Sequence, residues 1–60
     1  MTFDDVVVKK ETEAAILCEI EGELHWLPKS QICEDSEVTG EGDEGTLVIT
    51  QWIAQQKGLL

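Results

Sequence analysis

Basic residues are scarce in this chain: four lysines stand against 13 acidic residues in a total of 60, giving a formal net charge of −9. Nucleic-acid affinity comes mainly from Lys and Arg displacing counterions, and anionic lipid surfaces select the same residues. The balance therefore disfavours nucleic acid and points to basic protein surfaces, cations or other copies of the chain. Long apolar runs are missing too. Nothing approaches the ~18 residues of a membrane span, so no membrane partner is expected. The opening MTFDDVVVKK has acids where a signal peptide carries positive charge, and its apolar run is three residues long. The expectation is a cytoplasmic protein with reduced thiols.

The residues that do chemistry are equally few, with one His, two Cys, one Pro and three aromatics. Cys18 and Cys33 each sit in an apolar run, AAILCEI and SQICE, where a free thiol packs as a small hydrophobe. Sixty residues make one domain at most, and such a chain buries only about 60 % of its unfolded surface. Small domains need a staple. With a disulfide disfavoured, self-association as a homodimer or tetramer is the expected one.

What is present patterns mainly as strand. Val6, Val7 and Val8 are β-branched and favour a pleated strand, read here from near Phe3 to Lys9, with VVV as the expected subunit seam. Ala14, Ile16, Cys18 and Ile20 follow at period two, opposite Ala15, Leu17, Glu19 and Glu21. Gly22 supplies the positive φ of a tight hairpin. Leu24 and Trp26 then alternate with His25 and Leu27 along a third strand. Pro28 cannot donate to a ladder, so the strand ends at Leu27 and PKSQ forms a corner, with Trp26 expected to cover the core and Ile32 and Cys33 returning to it.

Residues 34 to 45, EDSEVTGEGDEG, hold six acids, three glycines and one aliphatic residue, Val38. Composition of this kind cannot order itself, so a flexible acidic loop is expected. TLVIT then reads as the last strand. Thr50 is the expected N-cap of a helix closed by Lys57 and Gly58, with Trp52 and Ile53 inward and Gln51, Ala54 and Gln55 outward. Leu59 can fold back onto its last turn. The expected fold is α+β and mainly β: an antiparallel sheet of about four strands, meander or small barrel, followed by one short C-terminal helix in a single domain.

Several constellations fail on spacing. Cys18, His25, Cys33 and Glu34 are zinc-ligand types, but the two Cys are separated by fourteen intervening residues rather than paired on a turn. Asp35, Glu37, Thr39, Gly40, Glu41 and Asp43 overlay a calcium loop until its twelfth position, which is Thr46 instead of Glu. A catalytic triad would need His25 in a pocket, yet it is expected at a surface or edge. Asp4, Asp5, Glu11 and Glu13 would need a cleft to gather for metal-assisted hydrolysis. Gly40, Gly42 and Gly45 lie in a negative loop that repels phosphate. No cofactor, metal or catalytic residue is assigned, and the chain is read as leaning away from an enzyme.

The segments AILCEIEGELHWLPKSQI and LVITQWIAQQKGL together resemble small proteins of bacteriophages and mobile elements that share an apolar strand, a Gly hairpin, a Trp-x-Pro-Lys-Ser corner and a terminal Trp-Ile/Leu-Ala helix. The resemblance covers most of residues 12 to 59. It implies a host-defence inhibitor such as an anti-CRISPR protein, with a four-strands-plus-helix fold like that of coactivator-type single-strand binders. No site residue carries over from it. The leading expectation is a non-enzymatic inhibitor of a host macromolecule whose partner is a protein with a basic surface, such as a CRISPR effector nuclease. Its binding residues would be Glu34, Asp35, Glu37, Glu41, Asp43 and Glu44, standing in for phosphates. The alternative is an oligomeric single-strand or DNA-topology binder using Trp26, His25 and Lys29, with weak nicking in a subunit cleft.

Overall fold

A computed structural model describes residues 1–59. Strand β1 (Thr2–Glu11) is followed by β2 (Ala15–Ile20) and β3 (Glu23–Pro28), and a 3₁₀ turn over Lys29–Gln31 rounds the corner. Strand β4 (Glu44–Val48) and helix α1 (Gln51–Gln56) complete the chain. The four strands form one antiparallel sheet in the order β3-β2-β1-β4. This is the mainly β, α+β arrangement of about four strands and a short helix that the sequence patterning predicts.

Local chemistry accounts for each boundary. Glu21 (φ 51°) and Gly22 (φ 85°) both take left-handed backbone in the two-residue β2–β3 hairpin, the geometry whose twist matches flanking strands. Thr50 caps α1 by accepting the Ile53 N–H on its hydroxyl at 3.3 Å. Gly58 (φ 72°) closes the helix, with the Leu59 N–H donating to the Ala54 carbonyl at 2.8 Å and the Gly58 N–H to that of Gln55 at 3.2 Å. Leu59 then packs against the core, as its position suggests.

Strand β1 is irregular. Between Phe3–Leu47 and Val6–Gly45 it places two residues, Asp4 and Asp5, against the single Thr46, and Asp5 is left-handed at φ 58°. Such a bulge usually carries glycine, and Asp is among the few residues that tolerate the conformation. A second extra residue, Lys9, falls between Val8–Cys18 and Lys10–Leu17. Bulges increase local twist, which lets the sheet curl around one core.

That core lies on one face. Val6 and Val8 of β1, Ile16, Cys18 and Ile20 of β2, Leu27 of β3 and Leu47 of β4 meet Ile49, Ile53, Ala54 and Val38 from the opposite side. Three expectations are corrected. VVV is no edge seam, because β1 runs between β2 and β4. On α1, Ala54 is buried and Trp52 is 58 % exposed, since the inward face follows Thr50, Ile53, Ala54 and Lys57 rather than the bulkiest side chain. Trp26 is 43 % exposed because its partner Leu17 lies on the outer face, opposite in phase to buried Ile16 and Cys18.

Candidate functional site

The acidic segment begins where the 3₁₀ turn delivers the chain to the outer edge of β4. Gln31 accepts from Thr50 N–H at 3.0 Å, the Cys33 N–H donates to Val48 at 2.8 Å and the Glu37 N–H to Thr46 at 2.9 Å. Val38 is fully buried, which is worth about 1.5–3 kcal/mol for an aliphatic side chain of this class. The buried Ser36 hydroxyl donates to the Val38 carbonyl at 2.9 Å. Further on, the Gly42 N–H donates to Val8 at 3.0 Å and the Val8 N–H to Asp43 at 2.9 Å. The flexibility expected of residues 34 to 45 comes from composition alone; the geometry supplies anchors that composition does not display.

Three carboxylates serve as anchors. Asp43 accepts the Thr39 and Gly40 N–H groups on Oδ2, both at 3.0 Å, and these bonds hold its carboxyl below the usual carboxylate range. Glu37 Oε1 accepts the Thr46 N–H at 3.0 Å. Glu11 Oε2 lies 2.7 Å from Lys29 Nζ and its Oε1 accepts the Glu41 N–H at 3.2 Å. The Lys29 hydrogen bond is the main reason the Glu11 carboxyl is lowered, followed by the Glu41 N–H. Among the described residues Glu34, Asp35, Glu41 and Glu44 have no side-chain hydrogen bond or ion pair, and all four are exposed. Of the six acidic loop residues singled out in the sequence, the structure thus presents four outward with unengaged carboxylates and turns Glu37 and Asp43 to structural use.

Two residues of the alternative nucleic-acid surface, Trp26 and His25, lie on opposite faces of β3. Trp26 projects from the outer face, whereas His25 alternates to the inner face opposite Cys18. The Lys29 ammonium is engaged by Glu11, and Lys9 lies 3.8 Å from Glu19. His25 is half-buried, and its Nε2 is enclosed without a hydrogen-bond partner among the described residues. Cys18 is completely buried, and burial pushes its thiol up to about 11. It stays protonated at neutral pH and is no nucleophile. Cys33 lines a shallow hollow of about 210 Å³ with Lys29, Ile32, Glu34 and Thr39.

A hollow of about 520 Å³ opens between the β1 bulge and the β2–β3 hairpin, lined by Thr2, Phe3, Asp4, Asp5, Glu19, Glu21 and Gly22. Sequence reasoning groups Asp4 and Asp5 with Glu11 and Glu13; the structure groups them with Glu19 and Glu21 instead, because register brings Glu19 opposite Val7. No group of three or more His, Cys, Asp or Glu suited to a metal ion occurs among the described residues, and no helix is long and apolar enough to cross a membrane. The arrangement offers charge and shape, with carboxylates on an anchored loop and a second acidic hollow on the far side of β1. No family model, curated protein or solved structure matches the chain.

Proposed function

We propose that the protein is a non-enzymatic binding module whose acidic loop occupies a basic surface of a partner protein. The partner class that fits is a host nucleic-acid enzyme such as a CRISPR effector nuclease, in the manner of a phage-encoded inhibitor. One observation carries this reading: Glu34, Asp35, Glu41 and Glu44 project unengaged carboxylates from a backbone that Val38, the Asp43 carbonyl and Glu37 tie to the sheet and that the Asp43 carboxylate closes on itself. Anchoring reduces the conformational entropy lost on binding. Carboxylates held in this way complement a channel built for phosphates and steer association at low salt. The phage origin and the effector class rest on the sequence resemblance.

The test is binding of purified CRISPR effector nucleases, after removal of nucleic acid, to the protein and to a Glu34→Gln, Asp35→Asn, Glu41→Gln, Glu44→Gln variant. The expected result is binding that weakens as salt is raised, and a loss of at least tenfold in the variant. Binding with unchanged affinity and salt dependence in the variant would sink the acidic-loop mechanism. Failure to bind any effector would remove that partner class.

A further inference from the structure

The free edge of the sheet has a different chemistry from the acidic loop. In the two-residue β2–β3 hairpin, Ile20 and Glu23 flank the turn as register partners, the position at which such a hairpin exchanges both backbone hydrogen bonds. Alternation makes Cys18–His25 and Ile16–Leu27 bonded pairs as well, a phase supported by the Lys29 N–H donating to Ala14 at 2.8 Å. Leu24 and Trp26 therefore turn their N–H and C=O groups away from β2, and β3 has no other neighbouring strand among the described residues. The same two residues carry the exposed apolar side chains of this strand, Leu24 at 57 % and Trp26 at 43 %, beside the half-buried Leu17 across the ladder.

Unpaired backbone donors and acceptors alternating with apolar side chains are what an extended chain needs in order to add to a sheet. Pro28 sets one limit, having no N–H to offer, and the hairpin sets the other. Charge selects the occupant. Glu21 and Glu23 stand exposed at the hairpin end with no ion pair among the described residues, and Glu19 lies beside Leu24 with only the distant Lys9 contact. A second copy would bring another nine negative charges and its own Glu23 to the seam, and like charges across a ladder are unfavourable. We propose that the free edge of β3 receives an extended segment of a partner protein as a fifth strand. In that segment apolar side chains, packing on Leu24 and Trp26, alternate with Lys or Arg directed at Glu21 and Glu23.

The test uses the full chain carrying Trp52→Phe, so that Trp26 is the sole indole, titrated with an octapeptide of alternating Val and Lys. The expected result is a saturable shift of Trp26 emission together with slowed exchange of the Leu24 and Trp26 amides. Affinity should fall at least tenfold for the Val-Glu counterpart, for the Val-Lys peptide N-methylated along one edge, and for Leu24→Asn. The acidic-loop variant should bind the peptide to within threefold of the parent, which separates this surface from the proposed inhibitory one. Absence of a saturable shift, equal affinity for the N-methylated peptide, or a dimer in sedimentation that protects the same amides without peptide would each overturn the proposal.

Discussion

The two edges of this sheet are treated in opposite ways. Past β4 the chain itself supplies cover, since the segment leaving the 3₁₀ turn bonds to Thr46, Val48 and Thr50 and plants Val38 in the core. Past β3 no further strand lies among the described residues, and the N–H and C=O groups of the exposed Leu24 and Trp26 face outward. One covalent run makes both edges, because Pro28 ends β3 and the turn behind it carries the chain across to β4. The difference teaches that the acidic residues of the 34–45 segment divide in two: Glu37 and Asp43 act as hydrogen-bond acceptors that hold the cover, and Glu34, Asp35, Glu41 and Glu44 project charge from it.

The largest effect is expected where cover meets core. Val38→Ala should destabilise the fold by about 1–3 kcal/mol, since it removes buried aliphatic volume, measured by thermal or urea unfolding. Leu24→Asn on the open edge should stay within about 0.5 kcal/mol. Equal losses at the two sites would erase the contrast between the edges.

Acid should separate the edges next. The Asp43 and Glu11 carboxyls are lowered in the fold, so the stability they contribute is complete above the ordinary carboxylate range and is lost as pH falls through their folded values. Protection of the Thr39, Gly40 and Glu41 amides, taken relative to their intrinsic exchange at each pH, should fall on acidification before that of the β2–β3 hairpin. Asp43→Asn should accelerate Thr39 and Gly40 already at neutral pH. Simultaneous opening of loop and hairpin would mean that the carboxylates do not hold the cover.

A smaller effect belongs to His25, whose enclosed Nε2 has no hydrogen-bond partner among the described residues. An unsatisfied buried polar atom costs about 1–3 kcal/mol, so His25→Phe should be neutral or stabilising by up to about 1 kcal/mol in the same unfolding experiment. A marked loss of stability would show that the imidazole makes a bond, through water, that rigidifies the open edge.

Much of the frame was legible in the sequence because its signals are local. Ile16, Cys18 and Ile20 alternate cleanly, Gly22 marks a two-residue turn, and Thr50 and Gly58 bracket a helix at the positions their chemistry favours. The errors arise where a non-local choice overrides size. Leu24-His25-Trp26-Leu27 is apolar on both phases, and only register against β2 sends His25 and Leu27 inward and leaves Trp26 outside. On α1 the small Ala54 lies in the core and Trp52 outside it, because the inward helical face runs through Thr50, Ile53, Ala54 and Lys57. The position of β1 between two strands depends on β4, which lies more than thirty residues away in sequence.

The candidate site was legible as a set of acids and illegible as a geometry. Residues 34 to 45 advertise charge, while their anchors are backbone N–H groups of Thr39, Gly40 and Thr46 that no composition reveals. Thr39 followed four residues later by Asp43 was the available sign, since a side-chain carboxylate at that spacing can close a loop on itself. Nothing in the sequence signalled the pairing of Glu37 with Thr46, because it requires the loop to lie along β4.

The most direct test of an edge closed by the chain and an edge left open is native-state amide exchange resolved residue by residue at neutral pH. Slow exchange at Cys33, Glu37 and Thr50, close to that of the core strands, with rapid exchange at Leu24 and Trp26, is the predicted result. Unprotected Cys33 and Glu37, or protected Leu24 and Trp26 in the isolated protein, would contradict it.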